Sequence, residues 1–591
     1  MSILVQKFGG TSVADSQKIL AAARRAVRAR QEGKQVVMVV SAMGHNTDQL
    51  VELAGQITDQ PRPREMDMLL STGEQVSVAL MAMAIHSLGH EAISLTGAQI
   101  GIKTDSTHTK ARIRSISTER MRRALEEGKI VIAAGFQGID EDFNITTLGR
   151  GGSDTTAVAL AAVLRADACE IYTDVDGVYT TDPRVLPEAR HMKRVSYDEM
   201  LELASLGAGV MHNRSIEFAK KFSVPIHVRS SFTDKPGTMI TALPEAPDQP
   251  VGGAALAKKE ARVAILGVPD KPGTSLAIFS KIAGRAVAVD MIVQDVGAGG
   301  RADMSFIVIT RPPRSTLVAA EEGAAEWGAE RLVQHDAMAK IPVVGLGMAQ
   351  QTGVAERMFR ALADAGVNIQ MITTSEIKIS VLVEREQGAP GLRAVHTTFG
   401  LETEPPGAAS PSVLSPPPAD GDALAVVARL QKMEELAIDD IALDDTQARL
   451  SVCGIADEPG IAAAIFEAVA AGGIFVDMIV QSYGREGMSK ISFTVPQKQY
   501  QQCRDLLQEL AGRLNCGPIS GSEKVSKLSV SGIGLRSHTD VAIRTFRCLA
   551  DAGINVDLIN TSEVRVNVVV EGQHGRQALS CLQAAFADCM H

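Results

Sequence analysis

Short apolar runs alternate with amphipathic segments along the first 245 residues of the chain. The runs at 35–40 and 130–136 are apolar almost throughout, which is typical of strands buried on both faces, and 3–7 is a shorter β-rich run. Between 14 and 31, apolar residues recur at helical spacing. The alternation predicts an α/β domain in which helices cover both faces of a mainly parallel central sheet, a three-layer αβα arrangement.

Small residues follow several of these predicted strands. Two glycines occur at 9–10, and the run of small residues at 41–44 ends in Gly44. The longest glycine-rich stretch, 148–156, leads into a predicted helix. Ligands of parallel sheets bind beyond the carboxyl ends of the strands, and a helix N-terminus favours an anion. The pattern predicts an anion-binding site beside Lys7 and Arg150. A glycine-rich turn that only begins a helix is the alternative interpretation.

The second half of the chain is a duplication. Residues 262–400 recur at 449–587 with a constant offset of 187, so that the turn 270–273 corresponds to 457–460. Each unit contains its strand and helix pattern twice, which predicts four ferredoxin-like βαββαβ modules. The predicted domains are a catalytic domain at 1–245, modules one to four at 258–332, 338–401, 445–520 and 525–591, and a proline-rich linker at 402–422. Such a linker allows the second pair of modules to lie beside the first pair or to reach another chain.

Composition and charge argue against several classes of protein. A net charge of −10 over 591 residues argues against nucleic-acid binding. The seven cysteines never have C-x-x-C spacing, which suits reduced thiols in a cytosol. The chain has neither an uninterrupted run of 18 apolar residues nor a signal-peptide pattern, so we expect a cytoplasmic protein without a membrane span.

Five motifs agree in order and spacing with one known family. The runs at 5–12, 41–44, 65–74, 148–156 and 172–184 resemble the aspartate kinase family of the amino-acid-kinase superfamily. The resemblance implies transfer of the ATP γ-phosphoryl group to the β-carboxylate of L-aspartate. The product would be 4-phospho-L-aspartate, the first step toward lysine, threonine and methionine.

The resemblance also implies roles for individual residues on the phosphate side. Lys7 would neutralise the transferring phosphoryl group, Gly9 and Gly10 would offer backbone N–H groups, and Asp154 would hold Lys7 and the metal-bound phosphates in register. The Mg²⁺ ion would be held largely by ATP oxygens, so we expect no metal site built from side chains alone. The remaining nucleotide contacts implied are Phe8, Ser41, Thr173, Asp174, Tyr179, Asp182 and Arg184.

On the substrate side, the resemblance assigns Arg150 to the α-carboxylate of aspartate and Glu74 to its α-ammonium group. A carboxylate such as Glu74 in an apolar helix more often faces solvent, which is the alternative. Further aspartate contacts implied are Thr47, Gly151, Gly152 and Ser153. Some family members carry a nucleotide-site lysine where this chain has Gly209, and His212 is either its replacement or an ordinary helix-start residue.

The four modules resemble ACT domains, which bind small amino acids at module interfaces. The resemblance implies that lysine, threonine or both inhibit the enzyme from these modules. Turn and strand-end chemistry alone is the alternative explanation of the residues concerned. The effector contacts implied are Asp270, Gly273, Gln294, Asp457, Gly460 and Gln481. Because open sheet edges favour pairing, we expect a homodimer or higher homo-oligomer built on ACT contacts.

Two other functions compete with this interpretation. A kinase acting on another amino acid, such as glutamate, would share the catalytic fold. A catalytically silent amino-acid sensor would use that fold only to relay binding. The joint presence of Lys7, Arg150 and Asp154 argues against the silent sensor, and Glu74 with the regulatory half argues against the glutamate kinase.

Overall fold

The computed structural model describes most of the chain. The described residues are 2–204, 211–284, 289–296, 300–309, 322, 324, 326, 328–405, 436–483, 488–533, 535, 540–562 and 564–590. Residue Gly209 and the greater part of the predicted proline-rich linker lie outside them.

An eight-stranded sheet forms the centre of the N-terminal domain. All neighbouring strands run parallel except Ile226–Ser230 and Thr238–Thr241, which are antiparallel. This confirms the mainly parallel sheet. From edge to edge the strands are Arg194–Ser196, Thr238–Thr241, Ile226–Ser230, Ala168–Thr173, Ile3–Phe8, Gln35–Val40, Ile130–Ala134 and Ala92–Leu95. A smaller sheet contains Ile113–Ile116, Ile102–Thr104, Gln137–Ile139 and Ile145–Thr147.

Both faces of the central sheet are buried. Alternate residues of the second strand, Val37 and Val39 on one face and Met38 and Val40 on the other, belong to separate apolar cores. Because successive side chains of a strand point to opposite faces, two cores require helices on both sides, which confirms the three layers. The helices are Ser16–Gln31, Asn46–Ile57, Pro63–Ser87, Gly97–Ile100, Glu119–Glu126, Gly152–Leu164, Tyr197–Leu203 and Asn213–Phe222, and a 3-10 turn spans Gly10–Val13.

One helix among the described residues, Pro63–Ser87, is long and apolar enough to cross a membrane by length and composition alone. More than half of its most apolar window is buried inside the protein. The same helix buries the carboxylates of Asp67 and Glu74. These features are those of a helix packed in the core of a domain.

The regulatory half contains helices packed on antiparallel strands, as predicted for ferredoxin-like modules. Its strands are Gly253–Ala254, Ala257–Pro269, Val289–Val296, Arg301–Ile309, Arg331–Val344, Met371–Ser375, Lys378–Glu384, Ala437–Ala456, Ile479–Tyr483, Met488–Pro496, Ile519–Ile533, Leu558–Thr561 and Arg565–Glu571. Its helices are Thr274–Ala283, Val354–Asp364, Gly388–Thr398, Ile461–Ala471, Tyr500–Leu514, Asp540–Asp551 and Gly575–Ala585. Short 3-10 turns occur at Leu346–Gln350, Arg385–Gln387, Gln497–Gln499 and Gly572–His574.

The modules pair across the duplication within one chain. Strand Val289–Val296 of module one lies antiparallel to Leu558–Thr561 of module four, and Met371–Ser375 of module two lies antiparallel to Ile479–Tyr483 of module three. The second unit therefore lies beside the first, one of the two arrangements that the linker allows. Strand Arg331–Val344 pairs first within module one and then with module two, which makes these neighbours continuous.

Candidate active site and effector sites

A cavity of about 1220 Å³ opens at the carboxyl ends of the first two strands of the parallel sheet. Its wall includes the loop after Thr147 and the start of helix Asn213–Phe222. The structure brings most of the predicted phosphate and aspartate residues to this one cavity. Those that line it are Lys7, Gly9, Gly10, Ser41, Thr47, Glu74, Arg150, Gly151, Gly152, Ser153 and Asp154.

An ion pair occupies the floor of this cavity. Lys7 Nζ lies 2.5 Å from Asp154 Oδ1, and the two side chains are 11% and 12% exposed. Lys7 is in the first strand, and Asp154 is in the first turn of helix Gly152–Leu164, where the helix dipole stabilises a carboxylate. The pair presents a largely buried ammonium group that is held in one place at the edge of the cavity.

The two glycines after the first strand have different surroundings. The Gly9 N–H donates to the Tyr172 carbonyl at 3.3 Å, so this N–H is already used inside the fold. Gly10 begins the 3-10 turn, and a Cβ there would lie 2.9 Å from the Ala42 carbonyl oxygen. Only glycine therefore lets these two loops approach each other beside Lys7.

Glu74 faces the cavity and not the solvent. It is 3% exposed, and its Oε1 accepts a hydrogen bond from the Ala42 N–H at 3.1 Å. Burial raises the pKa of the Glu74 carboxyl to about 7, against the lowering effect of backbone hydrogen bonds. Its Oε2 has no hydrogen-bond partner among the described residues. A buried acceptor of this kind suits a ligand cation such as an ammonium group.

The loop that carries Arg150 depends on two left-handed glycines. Gly149 has φ +76° and Gly151 has φ +72°, conformations that other residues adopt only with strain. A Cβ on Gly151 would also lie 2.4 Å from the Cβ of His212. Arg150 itself is exposed toward the cavity, so its guanidinium is available for a carboxylate.

His212 lies between this loop and the ion pair, where it lines the cavity. Burial lowers the pKa of its imidazole, although the negative charge of Asp154 acts in the opposite direction.

Arg214 was not singled out from the sequence. Its guanidinium donates to the carbonyls of Leu148 at 2.7 Å and Ala111 at 3.0 Å, and so joins two loops of the cavity wall.

The structure does not bring the other predicted nucleotide residues to this cavity. Phe8 is 1% exposed and stacks on Tyr172 with 4.6 Å between the ring centroids, so its side chain belongs to the core. Asp174 accepts a hydrogen bond from the Thr173 hydroxyl at 3.1 Å. Thr173 ends the strand next to the first one, and Asp174, Tyr179, Asp182 and Arg184 follow that strand. None of these five residues lines the cavity wall.

The charged residues of that loop interact with each other. Arg184 donates to Asp182 at 2.8 Å, and this hydrogen bond lowers the pKa of the Asp182 carboxyl. The ring of Tyr179 lies edge-on to His191 at 5.3 Å. In the described part of the chain, no group of three or more His, Cys, Asp or Glu side chains is arranged to hold a metal ion.

The predicted effector residues of module one lie against module four. Asp270 Oδ1 accepts from Asn555 Nδ2 at 2.7 Å, and Gln294 Nε2 donates to the Val556 carbonyl at 2.8 Å. Gly273, with φ +93°, precedes helix Thr274–Ala283 at its N-terminus. We call this set the 1·4 interface.

The predicted residues of module three lie in the same way against module two. Asp457 Oδ1 accepts from Asn368 Nδ2 at 2.7 Å, and Gln481 Nε2 donates to the Ile369 carbonyl at 3.1 Å. Gly460 has φ +96° at the N-terminus of helix Ile461–Ala471. We call this set the 2·3 interface. Asn368 and Asn555 were missed from the sequence, although they obey the same offset of 187.

A cavity of about 290 Å³ also lies between modules two and three. It reaches the N-terminus of helix Val354–Asp364 at Gly353 and includes the acidic side chains of Glu376, Asp444 and Asp477. Asp477 forms an ion pair with Lys527. A helix N-terminus and several carboxylates in one cavity match the two charged ends of an amino acid.

Module two also packs against the catalytic domain through buried polar contacts. Lys378 Nζ lies 2.6 Å from Glu202 Oε2, and the two side chains are 5% and 0% exposed. The Thr180 hydroxyl and His396 Nε2 are 3.0 Å apart. Helix Tyr197–Leu203, which carries Glu202, precedes the segment that leads to His212 in the large cavity. These contacts join module two, which forms one side of the 2·3 interface, to the catalytic domain.

Family models match both halves of the chain. Residues 2–230 match the amino acid kinase family, and 341–399, 450–510 and 528–586 match the ACT domain. The chain is 50% identical over 404 residues to the aspartate kinase Ask_LysC of Stutzerimonas stutzeri, which covers 68% of this chain and 98% of that protein. It is 49% identical over 407 residues to the aspartokinase of Geobacillus stearothermophilus, with 68% and 98% covered.

Solved structures are similar over different lengths. The crystal structure of aspartate kinase from Synechocystis shares 40% identity and a TM-score of 0.52, and covers 99% of this chain and 98% of its own. Aspartokinase III of E. coli, in complex with aspartate and ADP, is 24% identical with a TM-score of 0.57, covers 67% and 99%, and is similar in fold. The same E. coli enzyme has also been crystallised with lysine and aspartate.

Proposed function

We propose that this chain, which belongs to the aspartate kinase family, transfers the γ-phosphoryl group of ATP to the β-carboxylate of L-aspartate. The products are ADP and 4-phospho-L-aspartate. The observation that carries the proposal is the convergence of the Lys7–Asp154 pair, Arg150 and Glu74 on one cavity. An ammonium for phosphate, a guanidinium for one carboxylate and a carboxylate for the substrate ammonium are the groups that this reaction needs.

Lys7 acts on the phosphoryl group in transfer. Its ammonium neutralises the charge that spreads over the phosphoryl oxygens, and Asp154 keeps it in place. The N-terminus of helix Gly152–Leu164 adds a positive potential on the same side. Mg²⁺ that is bound mainly by ATP oxygens needs few protein ligands, and Asp154 is the carboxylate placed to supply one.

Arg150 and Glu74 orient the amino acid. Arg150 binds the α-carboxylate with two parallel hydrogen bonds, and the free Oε2 of Glu74 accepts from the α-ammonium. The positive charge of the ammonium favours the ionised form of Glu74, whose pKa near 7 places it at the point of titration. The β-carboxylate is then left to face the phosphoryl group.

The direct test measures ADP release by the full chain with MgATP and L-aspartate, and traps the acyl phosphate with hydroxylamine. We expect ADP and aspartyl hydroxamate in equal amounts, with much less of both from L-glutamate. A higher kcat/KM with L-glutamate would favour the other amino-acid kinase. Failure to release ADP above background, with a correctly folded chain, would overturn the proposal.

We propose that the ACT modules are the sites of feedback inhibition. Lysine, threonine or both inhibit the enzyme from the inter-module interfaces, where Asp270 and Asp457 meet asparagines of the opposite module. An effector carboxylate is received by the helix N-termini after Gly273 and Gly460. Titration of activity with each amino acid and with both together identifies the effector.

We also propose how the chain assembles and where it is located. A homodimer or higher homo-oligomer, in which ACT modules contribute contacts, remains our prediction, as does a cytoplasmic location. Light scattering of the full chain with and without effectors measures the assembly. A monomer under all conditions would contradict it.

A further inference from the structure

Asp67 is a buried acidic side chain that has no role in the proposed phosphoryl transfer. It lies on helix Pro63–Ser87, two turns before Glu74, and is fully buried. An ionised carboxylate in such a place requires several donors, since an unpaired buried charge is strongly unfavourable. Asp67 has them from two other segments of the domain.

The donors to Asp67 come from the two loops that form the wall of the large cavity. The Thr109 N–H lies 3.0 Å from each carboxylate oxygen, and the Thr147 hydroxyl donates to Oδ1 at 2.5 Å. His108 Nδ1 lies 2.7 Å from Oδ2. Thr109 and Thr147 line the cavity, and Thr147 ends the strand that leads to Arg150.

Thr109 has an unusual backbone. Its φ is +67°, in the left-handed region that a β-branched residue rarely adopts. A residue stays in that region only where its surroundings determine the conformation. The two contacts from its N–H to Asp67 are such a determinant, and they fix where Lys110 enters the cavity.

The 147–150 loop packs against the 108–111 loop. The Thr109 carbonyl oxygen would lie 3.1 Å from a Cβ on Gly149, so the two loops are in close contact just before Arg150. The Ala111 N–H donates to the Thr147 carbonyl at 2.8 Å. Arg214 joins the same two loops through the carbonyls of Leu148 and Ala111. Asp67 and Arg214 together clamp the base of the Arg150 loop.

We propose that Asp67 is a positioning residue for substrate aspartate, which holds the 108–111 and 147–150 loops so that Arg150 and Lys110 face the amino acid. The inference rests on the proposed aspartate site. It assigns Asp67 no contact with ATP, because the Asp67 carboxylate contacts His108, Thr109 and Thr147 and not the Lys7–Asp154 pair. The expected signature is a change in KM for aspartate that exceeds the change in KM for ATP.

The test compares Asp67→Asn and Thr147→Val with the wild-type full chain. We expect the KM for L-aspartate to rise at least tenfold in D67N and about threefold in T147V, while the KM for ATP changes less than twofold. T147V removes one donor with an isosteric side chain, so it remains informative if D67N fails to fold.

The matched control is Asp140→Asn. Asp140 is also buried, at 3% exposed, and accepts hydrogen bonds from Asn144 and Asp142 in a hairpin that does not line the cavity. We expect D140N to lower the melting temperature without changing either KM selectively.

Two outcomes count against the inference in different ways. If the wild-type chain releases ADP but D67N and T147V both leave the KM for aspartate unchanged, or raise both KM values equally, the positioning role is wrong. If the wild-type chain releases no ADP with aspartate, the proposed function itself has failed, and with it the site on which Asp67 would act.

Discussion

The 1·4 and 2·3 interfaces have equivalent turns and polar pairs, but they differ in which buried polar atoms have hydrogen-bond partners. Both place an aspartate against an asparagine and a glutamine against a carbonyl. In the 1·4 interface, Ser275 Oγ donates to Gln294 Oε1 at 2.5 Å. The duplication places Ala462 at the corresponding position of the 2·3 interface, where Gln481 Oε1 is buried without a hydrogen-bond partner among the described residues.

If the interfaces bind effectors as proposed, this difference predicts unequal roles for them. A buried acceptor without a partner is unfavourable until a ligand supplies a donor, so the 2·3 interface gains more from an effector ammonium. The 2·3 interface also includes module two, which contacts the catalytic domain through Lys378. We therefore expect effector binding at the 2·3 interface to control activity more strongly than binding at the 1·4 interface.

The largest effect is expected from Lys378→Met. The substitution removes the ammonium that pairs with the fully buried Glu202, and breaking a buried pair in this way lowers the free energy of unfolding by about 3–5 kcal/mol. We also expect inhibition to weaken at least tenfold, since module two loses its charged contact with the catalytic domain. Chemical denaturation and inhibition curves measure the two effects.

Arg565→Met is the matched control, since the duplication makes Arg565 the counterpart of Lys378. It pairs with Glu376, its side chain is 30% exposed, and it does not contact the catalytic domain through that pair. Exposed pairs of this kind contribute about 1 kcal/mol or less. Equal losses of inhibition in K378M and R565M would show that the ion pair to Glu202 does not transmit the signal.

A second prediction compares Asp457→Ala with Asp270→Ala. Both should relieve inhibition and leave uninhibited turnover within about twofold, because neither aspartate lies near the large cavity. We expect the half-inhibitory concentration to rise at least tenfold in D457A and about threefold in D270A, a difference of roughly 0.7 kcal/mol. A larger rise in D270A than in D457A would mean that the 1·4 interface controls activity more strongly. Unchanged inhibition curves in both variants would exclude these turns as effector sites.

The raised pKa of Glu74 allows a test of the catalytic site that does not involve the effector sites. Its carboxyl has a pKa raised by burial to about 7, and only the ionised form attracts the substrate ammonium. As pH rises from 6 to 8, the KM for aspartate should fall several-fold, while the KM for ATP stays level. In Glu74→Gln, the KM for aspartate should be higher and should no longer depend on pH. A pH profile retained in E74Q would assign the titration to another group.

Much of this site was predictable from sequence, because its chemistry is local. Lys7 lies near the end of a strand, Arg150 follows a strand and Asp154 lies at a helix start, where periodicity and glycine spacing locate them. Phe8 shows the limit of that reasoning. Neighbouring residues of one strand point to opposite faces, and Phe8 turns to the core while Lys7 faces the cavity.

Contacts between distant segments were not predictable in the same way. Asp67 and Glu202 are each one of three acidic residues in their helices, and only the packing of remote segments buries and pairs these two. The partners Asn368 and Asn555 depend on pairing across the duplication. The offset of 187 related them to each other but could not reveal which module each one faces.

The smallest effect tests the polar difference between the interfaces directly. Ala462→Ser supplies the 2·3 interface with the hydroxyl that satisfies Gln294 in the 1·4 interface, and Ser275→Ala removes it there. If an unpaired Gln481 oxygen strengthens effector binding, A462S should weaken inhibition about twofold to fivefold. In the same way, S275A should strengthen binding at the 1·4 interface by a similar factor, as measured by calorimetric titration. Opposite signs for both variants would mean that the serine donates to the effector and not to the glutamine, and the 1·4 interface would then be the tighter site.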